Sequence, residues 1–168
     1  MTTMKKTTVC GFTLIELLVG VSVIAILSLA SIPVFTNVGT NQTLTQNVEN
    51  LKSDLKLAQE KAISGAVSGV YPNTNGLWGA RFNCDPVSGK ATSYILGQPQ
   101  DPSDAASTII SGTTKTFTYN VYISCAAPFQ VVFGRLTGKP TPSSVTIVLK
   151  DDNGHQRSIN IGSEGGIR

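Results

Sequence analysis

What the sequence lacks narrows its chemistry first. It has one histidine, His155, and no C-x-x-C pair, so a zinc site would find neither its imidazoles nor its paired thiolates. Asp151, Asp152 and Asn153 carry oxygens suited to Ca²⁺, yet EF-hand spacing is missing, and with Gly154 they form a tight-turn signal instead. His155 follows that turn glycine and is expected to face solvent. Catalytic residues, metal ligands and cofactors are therefore expected to be none. Charged residues make up only 14% of the chain, and beyond Lys5 and Lys6 eleven basic residues face ten acidic ones. So even a balance gives no electrostatic argument for a polyanionic partner. There is no internal repeat and no low-complexity tail.

Against this scarcity stands one long apolar run. The 24 residues from Phe12 to Phe35 carry a single charge, Glu16. As a helix they extend about 36 Å, enough for a hydrocarbon core of about 30 Å. Lys5 and Lys6 precede the run, which by the positive-inside tendency keeps the first residues cytoplasmic and exports everything after Phe35. An unpaired carboxylate in such a span costs on the order of 3 kcal/mol, so Glu16 is expected to have a function. A secretory signal cut at Ser28-Leu29-Ala30 and a plain single-pass anchor are the two simpler readings. Neither accounts for Glu16, and the first has too long an apolar region.

Gly11-Phe12-Thr13-Leu14-Ile15-Glu16, followed by the apolar stretch, resembles the prepilin signature of type IV pilins and type II secretion pseudopilins. The resemblance implies a leader over residues 1–11, cleaved between Gly11 and Phe12 by a membrane prepilin peptidase that then methylates the Phe12 amine. It implies a filament-core helix over 12–35, kinked at Pro33, in a subunit that leaves the inner membrane for a helical filament. Glu16 lies four residues beyond Phe12, about 6 Å of helical rise. The α-amine of its own chain or of a neighbouring subunit can neutralise it there, which makes it tolerable among packed apolar helices.

Further along, the pattern becomes amphipathic, and residues 36–66 are expected to continue the helix past a bend between Pro33 and Gly39. Leu44, Val48, Leu51, Leu55, Ala58 and Ala62 recur at helical spacing and should pack on the protein's own sheet. Ser64-Gly65 ends the helix. Residues 67–168 form a β-rich domain, which gives an α+β fold with a long N-terminal helix on an antiparallel sheet. Strands are expected at Val67–Tyr71, Leu77–Asn83, Thr92–Leu96, Phe117–Ser124, Phe129–Phe133, Val145–Leu149 and Arg157–Ile161. Gln98 to Lys115 has the composition of a long exposed loop.

The segment Leu51 to Ile63 and the ending Val131 to Gly138, two strands, then Gly165-Gly166-Ile167-Arg168, look like GspH/FimT-type minor pilins. Loss of the leader would discard Cys10 and leave Cys84 and Cys125 in an oxidising compartment, where a disulfide is expected; two separate buried thiols are the alternative. The resemblance implies a structural subunit and not an enzyme, with prepilin peptidase, other pilin subunits and an inner-membrane assembly platform as partners. A DNA-binding minor pilin for transformation is an alternative, with Arg135, Lys139, Arg157 and Arg168 as candidate contacts. A major pilin of a fibre is another.

Overall fold

The computed structural model describes residues 12–67, 76–99 and 109–168, of which residues 29–38, 40 and 109–111 are described by backbone alone. The expected leader, residues 1–11, lies outside them, as do residues 68–75, which hold most of the first expected strand and the turn after it. Two compact units, Met1–Gly39 and Thr40–Arg168, divide the chain. The helix α1, Leu14–Ile63, contributes to both, and its helical backbone passes through Pro33 and Gly39.

In the second unit α1 contributes the stripe read from the sequence. Leu44, Val48, Leu51, Leu55, Ala58 and Ala62 are all buried, and they join one core cluster with residues of nearly every strand. The helix ends in a Schellman arrangement: Gly65, at φ 68°, gives its N–H to Ala62, and Ala66 gives its own to Lys61. The sheets then claim the last carbonyls. Leu136 N–H reaches Ala62 O, and Trp78 Nε1 and Gln98 Nε2 both donate to Ala66 O, at 2.6 and 3.2 Å.

The strands are β1 (Trp78–Phe82), β2 (Lys90–Ala91), β3 (Ser93–Pro99), β4 (Ile109–Thr116), β5 (Val121–Ser124), β6 (Phe129–Phe133), β7 (Pro140–Thr141), β8 (Val145–Asp151) and β9 (Gln156–Ile161). They form a five-stranded sheet in the order β4-β3-β1-β6-β7 and a four-stranded sheet in the order β2-β5-β8-β9, with every pairing antiparallel. The α+β architecture is thus a helix packed on antiparallel sheet. Inward residues alternate along β8 and β9, where Ile147, Leu149, Ile159 and Ile161 are buried. The terminal residues cover the outer edge of β9: Asn160 and Arg168 exchange backbone bonds at 3.0 Å, and Ile167 bridges Ile161. That pairing shields a row of amides that would otherwise invite another strand.

Two expectations need correction. Gln98 to Lys115 is not all loop, because β3 extends to Pro99 and Ile109–Thr116 forms β4. Its β-branched residues favour an extended chain, and an edge strand exposed on both faces needs no apolar alternation. The strand expected over Phe117–Ser124 begins only at Val121. Tyr119 and Asn120 adopt left-handed φ of 53° and 55°, turning the chain between the two sheets. Asn47, buried on α1, fixes that turn: its Oδ1 accepts Thr118 N–H at 3.1 Å, and its Nδ2 donates to Thr118 Oγ1 at 3.0 Å.

One glycine sits where nothing else fits. Gln59 on α1 donates to the carbonyls of Gly138 and Gly165, both at 2.9 Å. Gly165 has φ 87°, and a Cβ there would run into the Gln59 amide and the Gly138 carbonyl.

A disulfide joins Cys84, just after β1, to Cys125, just after β5, with the Cα atoms 6.0 Å apart. It therefore links the two sheets. With 41 residues of sequence separation, the chain-entropy argument gives about 4 kcal/mol of stabilisation. Replacing both cysteines by serine should lower the unfolding free energy by about 2–5 kcal/mol in denaturant titrations, and reduction of the wild type should reproduce the loss.

Candidate functional site

The first turn of α1 organises its own polar groups. Thr13 stands at the N-cap: its Oγ1 accepts the Glu16 N–H at 3.3 Å, and its carbonyl accepts the Leu17 N–H at 3.2 Å. Thr-x-x-Glu is the capping-box pattern, and it places the Glu16 carboxylate beside the positive end of the helix dipole. The side chain remains exposed.

Beyond that turn the helix is apolar on every side. Leu14 is 83% exposed, and Leu17, Leu18, Val21, Ile24 and Ile26 are each more than half exposed. At 100° per residue five of these six share one side of the helix, and Ile15, Val19, Val23 and Leu27, exposed as well, cover the other, the pattern of a helix surrounded by lipid or by other apolar helices. The two serines described within the run are satisfied internally. Ser22 Oγ donates to Leu18 O at 2.7 Å, and Ser28 Oγ to Ile24 O at 2.8 Å. Glu16 is different: a carboxylate only accepts hydrogen bonds, and α1 has no cation nearby to give it one. Among the described residues no helix is long and apolar enough to cross a membrane. The described side chains of the apolar run stop at Ser28, whereas the sequence continues apolar to Phe35.

In the second unit, sequence reasoning missed a buried polar group. Asp54 lies three residues after Leu51 and four before Ala58, on the core-facing side of α1, where an acid requires partners. It has them: Tyr94 Oη and Lys115 Nζ each donate at 2.6 Å. Burial, reinforced by the Asp54 carboxylate, pushes the Tyr94 hydroxyl above the usual phenol range. The helical spacing of Asp54 was the available signal, although it did not reveal which residues would answer it.

The four basic residues considered for DNA are held by different elements, with Arg135 and Lys139 near the end of α1. Arg135 lies in the loop after β6, with its guanidinium against Gly65 at the end of α1. Lys139 precedes β7 and pairs with Glu164 at 2.9 Å, Arg157 is on β9, and Arg168 is pinned through its backbone to Asn160. No group of three or more His, Cys, Asp or Glu residues suited to a metal occurs among the described residues.

His155 does not simply face solvent. Its Nδ1 lies 2.8 Å from Asp151 Oδ2, while Asp151 Oδ1 accepts the backbone N–H groups of Asn153 and His155 at 3.0 and 2.8 Å. Burial of Asp151 opposes its charge, but these bonds outweigh burial and hold its carboxyl below the usual aspartate range. A depressed folded-state pKa gives stability that is fully present above the unfolded value of about 3.9 and is lost as pH falls through the folded one. Asp151→Asn should therefore flatten the loss of stability below about pH 4 in acid titrations, with little change in pH dependence nearer neutrality.

A family model described as the prokaryotic N-terminal methylation motif matches residues 7–32. No curated protein and no solved structure matches the chain. The matched stretch takes in Gly11, Phe12, Thr13 and Glu16 and ends before Pro33. It supports the type IV prepilin-like class of pilins and pseudopilins, which implies processing by prepilin peptidase, assembly with other pilin subunits and a structural rather than enzymatic role.

Proposed function

We propose that this chain is a minor pilin or pseudopilin of the GspH/FimT type, a subunit of a type IV pilus or a type II secretion pseudopilus. Cleavage between Gly11 and Phe12, followed by methylation of the Phe12 amine, would leave α1 as a single-pass inner-membrane anchor with Thr40–Arg168 in the periplasm. An assembly platform then moves the helix from lipid into a bundle of like helices. One observation carries this reading: in an apolar run whose described serines, Ser22 and Ser28, are satisfied internally, the exposed Glu16 carboxylate calls for a cation from outside the helix. The Phe12 amine of a neighbouring subunit has the charge and the place to supply it. The β-rich unit, with its disulfide, suits the exported face of such a subunit. The DNA-binding alternative is weakened by the pairing of Lys139 with Glu164.

Glu16→Leu separates insertion from assembly. Membrane fractionation should find the variant inserted as well as the wild type, because the change deletes the charge that hydrocarbon disfavours. Leader cleavage should persist, since Gly11 and the leader lysines are intact. Recovery of the subunit in sheared filaments, or secretion in the same strain, should fall at least tenfold, as an amine left unpaired among apolar helices costs several kcal/mol. Normal assembly of this variant would contradict the proposed pairing.

A further inference from the structure

Two cavities in the second unit meet at one aromatic ring. The larger, about 350 Å³, lies between α1 and β4 and is lined by Asn50, Ser53, Asp54, Tyr94, Lys115 and Phe117 among others. The smaller, about 270 Å³, includes Lys90, Thr92, Asn120, Tyr122 and Asp152, and again Phe117. Phe117 is half buried, and its ring is braced against Tyr94 at 5.2 Å between centroids. Both cavities are close to the lower end of the range of about 300–1,000 Å³ typical of ligand sites, so each suits one small ring rather than an extended molecule.

Their charge selects the ligand class. Each cavity holds one ammonium and one carboxylate already in contact, Lys115 with Asp54 at 2.6 Å and Lys90 with Asp152 at 3.0 Å. Lys90 also sits 4.0 Å above the ring of Tyr122. An anion or a cation would have to compete with an existing pair, whereas an uncharged polyol would not. The ammonium groups are part exposed and keep N–H donors to spare, and the carboxylates keep lone pairs. Asn50 and Ser53, three residues apart on α1, engage no protein partner among the described residues. Donors and acceptors mixed around an aromatic face match a molecule with alternating hydroxyls and an apolar C–H face. The turn from Phe117 to Val121 is held in advance by the Asn47–Thr118 bonds, so little ordering remains to oppose binding.

We propose that the two cavities flanking Phe117 form a binding site for a neutral saccharide, one sugar ring in each. The inference is independent of the filament reading.

The test uses the full-length protein in a detergent without a sugar head group. Saturation-transfer NMR would measure binding of cellotriose, maltotriose and chitotriose, and co-sedimentation with insoluble cellulose and chitin would separate a free oligosaccharide from a polymeric glycan as the source. At least one of these should bind, with an affinity that changes little as salt rises from about 0.05 to about 0.5 M. The double variant Asn50→Ala, Ser53→Ala, at exposed helix positions that leave the core intact, should weaken binding about tenfold or more at unchanged thermal stability. Phe117→Leu should also weaken binding, with some loss of stability because its ring packs on Tyr94, and Ser158→Ala on β9 should have no effect. Three results would overturn the proposal: no binding of any of these saccharides by folded protein, binding indifferent to the double variant, or binding of polyphosphate alone with steep salt dependence.

Discussion

One helix has to satisfy two different surroundings. Over its first part α1 is apolar in every direction, and among the described residues its side chains from Leu14 to Leu27 stay exposed. From Leu44 onward one apolar stripe is buried in a core shared with both sheets, while Leu57 and Ile63 stay part exposed. An all-round apolar helix is stable in hydrocarbon or among similar helices, while a one-stripe helix needs one apolar surface to cover its stripe, supplied here by the sheets. That change of pattern, written along one continuous element, fixes which part can leave water and which part must remain folded beside it. Glu16 is the exception in the first part, because apolar surroundings alone would select against a carboxylate there.

The second unit deals with its buried polar atoms in the opposite way, by answering them within the chain. Asn47, Asp54 and Gln59 all point from α1 toward the strands, and each meets a partner distant in sequence: Thr118, Tyr94 with Lys115, and the carbonyls of Gly138 and Gly165. These bonds set where the helix lies on the sheets more narrowly than apolar contact does, since hydrophobic packing is not directional. The disulfide between Cys84 and Cys125 adds a covalent link from one sheet to the other.

Much of this was legible in the sequence, and the reasons are physical. The α1 stripe obeyed a 3.6-residue period set by backbone geometry, so all six of its positions proved buried. Strand β6 matched its expected bounds because its apolar run stops at Gly134. Failures came where tertiary partners overrule local pattern. Phe117 to Ser124 alternates like a strand, but Asn47, about seventy residues earlier, holds Thr118 in a turn. β4 looks like a loop because its residues 112–116 are exposed on both faces, and only pairing with β3 reveals it. His155 looked solvated since nothing in the spacing Asp-x-x-x-His tells a side-chain bond across a hairpin from a coincidence. Of the candidate site, Thr13 was within reach as the first member of a Thr-x-x-Glu cap, whereas the internal satisfaction of Ser22 and Ser28 needed coordinates.

The central claim is that residues 1–11 are a leader and that Phe12 becomes a charged, methylated terminus able to meet Glu16. Intact-mass spectrometry with N-terminal sequencing of the membrane-associated protein tests it most directly. The account predicts a chain beginning at N-methylated Phe12, with Thr13 and Glu16 following as the first helical turn. A mature protein beginning after Ala30 would remove Glu16 altogether and contradict it.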